Sequence, residues 1–170
     1  MDRMKPPGNR GPITMSRGTL VIHSAPSALT CHIQWAIENL LGKGAQLQWR
    51  PQPLLAGTQR ASLEWRDCEG IGAELASVLR GWHYLRFEIQ EESAHERNLY
   101  RFTPNLGMHR AVIDASGSVL VTENQITHAL AMNEEALRSA LEDVLGNDWD
   151  RELEQFRCVE LDAISHSRAI

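Results

Sequence analysis

The chain has 170 residues, 42% hydrophobic and 23% charged, and a formal net charge of −5. A chain of this size buries roughly 70% of its unfolded surface, so it needs neither a metal nor a disulfide to hold a core. An acidic balance without a basic stripe argues against nucleic acid as a partner, because phosphate neutralisation supplies most of that affinity. No apolar run approaches the roughly 20 residues of a membrane span.

The charge is unevenly placed. Residues 1–17 carry Arg3, Lys5, Arg10 and Arg17 against Asp2, while residues 123–162 carry eleven acidic side chains against Arg138, Arg151 and Arg157. Residues 1–17 hold two adjacent prolines and little to bury, which predicts a disordered basic tail. They also lack the apolar stretch of a signal sequence, so a cytoplasmic location is expected. Cys31, Cys68 and Cys158 are widely spaced, with no CxxC or Cys/His cluster, and point to no metal, cofactor or disulfide framework. Cys31 falls within a helical pattern, where a small buried hydrophobe is the expectation.

Residues 19–23 (TLVIH) read as a strand. A helix follows with Ser27 as N-cap, a stripe of Leu29, Ile33, Ile37, Leu40 and Leu41, and Gly42 at its end. Ala45, Leu47 and Trp49 alternate with polar residues as a half-buried strand should, and Ala61, Leu63 and Trp65 repeat the pattern. A second helix is predicted over 71–82, on the stripe Ile71, Leu75, Val78, Leu79 and Trp82. A strand over 83–90 then faces Leu85, Phe87 and Ile89 one way and Tyr84, Arg86 and Glu88 the other.

Three further strands are predicted over 97–103, 108–114 and 118–121, with turn chemistry at Asp114 to Gly117. Thr122 with Gln125 forms a capping box for a helix near 123–131. Asn133 caps another, closed by Gly146, and Trp149, Leu153 and Phe156 suggest a final short helix before the pattern dissolves after Cys158.

The order strand, helix, strand, strand, helix, strand predicts an α+β fold with a ferredoxin-like βαββαβ core, extended by antiparallel strands and a C-terminal helical segment. Residues 18–157 form one domain, with 18–92 the ferredoxin-like half and 93–157 the extension, and 158–170 a tail. Strands one and three are taken to run parallel, which would start both helices at one edge. That edge would collect His23, Ser24, Ser27, Trp65, Gly70 and Gly72, and two helix N-termini there would suit an anion. A second candidate is the sheet face away from the helices, where Glu64, Tyr84 and Arg86 stand and where His23, Glu64 and Arg86 could meet. That face is either open or covered by the C-terminal helices.

The seven histidines form no HxH or HExxH spacing, the serines no G-x-S-x-G elbow, and Gly70 with Gly72 only a fragment of a dinucleotide loop. The five tryptophans fall on or beside apolar stripes, where packing accounts for most of them.

Several segments taken together are similar to an uncharacterised protein family of actinobacteria, a domain of unknown function. They are Arg17-Gly18 with Val21 to Pro26, Cys31-His32 with Trp35-Ala36, and Trp49 with Gln52-Pro53. The set continues with Leu79 to Trp82, Leu85 to Glu88, Thr103-Pro104 and Leu106-Gly107. It closes with Leu145-Gly146, Trp149-Asp150, Glu152 to Glu154 and Phe156-Arg157. The resemblance spans about residues 17–157 and implies a bacterial cytosolic protein, with no catalytic or binding residues to carry over. The functional expectation is a non-enzymatic binding or regulatory module for a small anionic ligand or a protein partner, with homodimerisation possible. The alternatives are a small enzyme with a polar site on the sheet and a structural subunit of a complex.

Overall fold

Strand β1 (Met15–Pro26) runs through the middle of a seven-stranded sheet in a computed structural model that describes residues 15–167. After a 3-10 turn (Ser27–Leu29) come α1 (Thr30–Leu41), β2 (Arg50–Pro51), β3 (Thr58–Cys68), α2 (Ile71–Leu79) and β4 (Arg86–Glu92). Strands β5 (Arg97–Thr103), β6 (Gly107–Ile113) and β7 (Val119–Leu120) follow, then α3 (Glu123–Leu130), α4 (Glu134–Leu145) and α5 (Asn147–Ser167). The sheet order is β2-β3-β1-β4-β5-β6-β7, and each neighbouring pair is antiparallel. The chain is therefore α+β.

The expected parallel pairing of strands one and three is wrong. Met15 lies beside Cys68 and Pro26 beside Thr58, so β1 and β3 are antiparallel. A helical crossover returns the chain parallel to the strand it left. Here each crossover skips a strand, β1 to β2 over β3 and β3 to β4 over β1, so direct neighbours oppose one another. In consequence α1 begins at the Pro26 end and α2 at the Cys68 end. The two helix starts lie at opposite edges of the sheet.

One face packs on α1 and α2. Leu20, Ile22, Ile33, Ile37, Leu75, Leu79, Leu85, Phe87 and Ile89 are buried there, the last three in the alternation read from the sequence. Phe87 stacks on Phe102 with ring centroids 5.3 Å apart. The pleat turns Leu99, Ala111 and Ile113 to the other face, where they are buried along with Leu153 and Phe156 of α5.

Residues 45–49 alternate in burial but do not pair as a strand. Gln34 of α1 donates to the Ala45 carbonyl at 2.8 Å and accepts the Leu47 N–H at 2.9 Å. A side chain thus takes the groups a ladder would need, and only Arg50 and Pro51 pair with β3. Ser27 is not an N-cap: its hydroxyl donates to the Gly57 carbonyl at 2.9 Å, and α1 has no side-chain cap. Cys31 is exposed rather than buried. Residues 15–17 belong to β1, and residues 1–14 of the predicted tail lie outside the described residues. Helix α5 is 21 residues long and continues past Cys158 to Ser167, where the sequence pattern suggested an end. Among the described residues no helix is long and apolar enough to cross a membrane.

Candidate functional site

The predicted helix-start edge does not assemble. His23, Ser24 and Ser27 stand near the Pro26 end of β1, while Gly70 and Gly72 stand at the opposite edge. The start of α2 is already occupied by the protein itself. Glu91 of β4, 4% exposed, accepts the Gly70 N–H at 2.9 Å and the Ser16 hydroxyl at 2.8 Å. Gly72 admits this carboxylate, because a Cβ there would lie 2.8 Å from Glu91 Oε2. Trp65 is buried over Gly18, whose Cβ would fall 2.1 Å from the indole Cζ2. An internal carboxylate now meets the positive end of the α2 dipole that was expected to hold a ligand.

The second candidate resolves into two separate places. The first lies beneath α5. A β-bulge in β1 between Ile22 and Ala25 breaks the register with β3, and His23 sits within it. The carbonyl of His23 accepts from the Gln52 side chain at 2.7 Å, and its Nε2 donates to Glu88 of β4 at 2.8 Å. Arg157 of α5 donates to both Glu88 oxygens, and Arg101 of β5 lies 3.8 Å from the same carboxylate. Burial alone would raise the pKa of Glu88, but the bonds from His23 and Arg157 and their charge hold it at about 2. Arg86 reaches Glu152 of α5 at 3.0 Å and lies over the Phe156 ring.

The same layer closes at its far end. Arg101 donates to the Gly146 carbonyl at 2.9 Å, His109 donates from Nε2 to the Val144 carbonyl at 3.1 Å, and Trp149 donates to the Gly107 carbonyl at 2.9 Å. Burial pushes His109 below its ordinary value of 6.5, against the raising effect of the Val144 bond. These groups fasten α5 and the end of α4 to the sheet.

The expected meeting of His23, Glu64 and Arg86 does not occur. Glu64 faces Thr19 in the ladder, four residues before His23 on β1, and the carboxylate beside His23 is Glu88. Tyr84 precedes β4 and is 71% exposed, joining neither place.

The second place is a groove of about 520 Å³ on the same face, beyond the cover of α5. Its floor is two rungs of the sheet. One runs Arg66, Arg17, Glu92, Arg97 across β3, β1, β4 and β5, and the next runs Glu64, Thr19, Gln90. Arg17 contacts Glu92 at 2.6 Å and Arg97 contacts it at 2.5 Å, and hydrogen bonds from these two guanidinium groups depress the pKa of Glu92. Arg66 and Glu64 are exposed and form no ion pair among the described residues.

The family described as "Protein of unknown function (DUF3145)" matches residues 19–166. The chain belongs to this family. No curated protein and no solved structure matches it. Among the described residues no group of three or more His, Cys, Asp or Glu is placed to hold a metal.

Within this DUF3145 chain, sequence reading missed Glu91, Arg101, His109 and Arg157. Glu91 carried a signal. The alternation of Leu85, Phe87 and Ile89 puts residue 91 on the buried face, and a charge at that step demands an internal partner. Arg101 stands likewise inside a run of buried residues on β5. Arg157 reads locally as an ordinary helix-surface pair with Asp150 and Glu154, and its bond to Glu88 spans 69 residues.

Proposed function

We propose that this chain is a non-enzymatic binding module that takes a small anionic ligand in the groove over β3, β1, β4 and β5. One observation carries the reading: a single rung holds three arginines, Arg66, Arg17 and Arg97, and one carboxylate, Glu92. It pairs with Arg17 and Arg97 and leaves Arg66 without an ion pair among the described residues. Arg17 and Arg66 are directly opposite across the ladder, an arrangement of like charges that repels. A carboxylate or phosphate between them relieves the repulsion and accepts charge-assisted hydrogen bonds from both. Thr19 and Gln90 offer neutral hydrogen-bonding groups one rung along, and Glu64 favours a neutral or cationic group at that end of the ligand. The volume suits a small metabolite.

A ferredoxin-like core is part of the same reading, supported by the order β2-β3-β1-β4 with both helices on one face. It supplies the open sheet, while the ligand is argued from the arginines alone. An actinobacterial cytosol is the setting that the resemblance implies.

The test is a titration with inorganic phosphate, succinate and adenosine diphosphate, followed by tryptophan fluorescence and melting temperature. At least one should give a saturable response, weakened roughly tenfold in Arg17→Gln and Arg66→Gln, as expected for the loss of one charge-assisted bond. Flat titrations with all three, or a response both variants retain in full, would remove the groove as the site.

A further inference from the structure

We propose that two copies of this chain join through the outer edge of β3, about a twofold axis at Trp65, extending the sheet from one copy into the other. The pairing rests on the geometry of the strand edge and not on a ligand, although Glu64 and Arg66 also line the groove. Gln52 donates its backbone N–H to the Thr58 carbonyl at 3.0 Å, so the even-numbered residues of β3 turn their N–H and C=O groups away from β1. Arg60 meets Arg50 of β2, and Pro51, which has no N–H, falls at the alternate position opposite Gln59. Beyond Arg60, β2 ends, and no other described strand lies on that side. The outward backbone groups of Ser62, Glu64 and Arg66 therefore lack a ladder partner, and their side chains are exposed.

Natural sheets blunt such edges with charged side chains, proline, bulges or covering segments. From residue 61 to 68, β3 contains no proline, and its register with β1 is unbroken. Its charges specify a partner. In an antiparallel pair centred on Trp65, Glu64 of each copy faces Arg66 of the other, twice over. Shifting the centre by one residue puts Glu64 against Glu64 or Arg66 against Arg66, which repels. One register is thus favoured, and it is self-complementary, as an isologous interface requires. It also places a carboxylate on the far side of Arg66 from Arg17, at the point where the arginine rung has no counter-charge.

Sedimentation equilibrium over a concentration series, with charge reversal, tests this. The wild type should dimerise. Glu64→Arg and Arg66→Glu should each raise the dimer dissociation constant roughly tenfold or more, and the double reversal should bring it back, since it restores both pairs. Far-UV circular dichroism checks that each variant is folded. Independently of any variant, hydrogen exchange on the wild type should show the amides of Ser62, Glu64 and Arg66 slowing as concentration rises. A wild type that stays monomeric overturns the proposal. So does a dimer indifferent to both single reversals, or one that the double reversal fails to restore.

Discussion

Arg157 of α5 grips Glu88 of β4 with both a side nitrogen and a terminal nitrogen of its guanidinium, across 69 residues of chain. This pair decides whether the second face of the sheet is covered. Glu88 side-chain exposure is 13% and that of Arg157 is 28%, so neither partner is freely solvated when the other is missing. Arg157→Ala should therefore destabilise by about 2 kcal/mol, less than the usual penalty for breaking a buried pair because His23 still donates to Glu88. Urea unfolding measures it. In a double-mutant cycle with Glu88→Gln, the two losses should add to well over the loss in the double variant.

Acid should loosen the fold in two stages. His109 has a folded-state pKa below its ordinary 6.5, so protons bind preferentially to the unfolded chain, and stability declines as pH falls below about 6.5. Glu88 is held at about 2 against an ordinary 4.5, so its contribution is complete above pH 4.5 and disappears as pH drops toward 2. The second stage amounts to about 3 kcal/mol. Unfolding free energies between pH 7 and 3 should show both declines, with Glu88→Gln flattening the lower and His109→Gln the upper. A wild-type profile that stays level from pH 7 to 3 would rule out this assignment.

Three glycines separate close approach from idle freedom. Gly18 lies under the Trp65 indole, and Gly146, at φ +70°, would put a Cβ 2.5 Å from His109 Cε1, whereas a Cβ at Gly44 meets nothing within 4 Å. Gly18→Ala and Gly146→Ala should each cost about 1–3 kcal/mol. Gly44→Ala should be neutral or slightly stabilising. Thermal melts of the three rank them, and equal melting temperatures would contradict the packing described.

Tryptophan accessibility gives an optical check. Trp35 is 67% exposed on α1, while Trp65 is 7% exposed beneath the sheet's helical layer. Acrylamide should quench one component strongly, and Trp35→Phe should remove that component. If quenching is unchanged in the variant, α1 does not present this face to solvent.

What the sequence disclosed was what neighbouring residues determine. The alternation of Leu85, Phe87 and Ile89 is imposed by the pleat, and Thr122 with Gln125, Asn133 and the αL Gly146 cap their helices as written. The misreadings share another cause. Whether residues 45–49 pair depends on Gln34, eleven and thirteen residues from the groups it binds. Which carboxylate meets His23 depends on one extra residue in a bulge, and strand direction depends on which strand each crossover skips. Those are long-range choices between locally equal patterns.

The α2 start offers the strictest test of such a choice. Glu91 there satisfies Gly70 N–H and Ser16 Oγ and answers the helix dipole, which is the chemistry first assigned to an external anion. Glu91→Ala leaves a buried donor unpaired at an uncompensated helix end, for a loss of about 2 kcal/mol. The emptied space is lined by the same donors, so sulfate should now bind in it. Sulfate also stabilises most proteins by exclusion from their surface, so the informative quantity is the difference between variant and wild type. The melting temperature of Glu91→Ala should rise more steeply with sulfate than that of the wild type, and with saturation. Glu91→Gln keeps a carbonyl oxygen for Gly70 and should gain less. Parallel slopes in all three would mean that the carboxylate does not occupy an anion site.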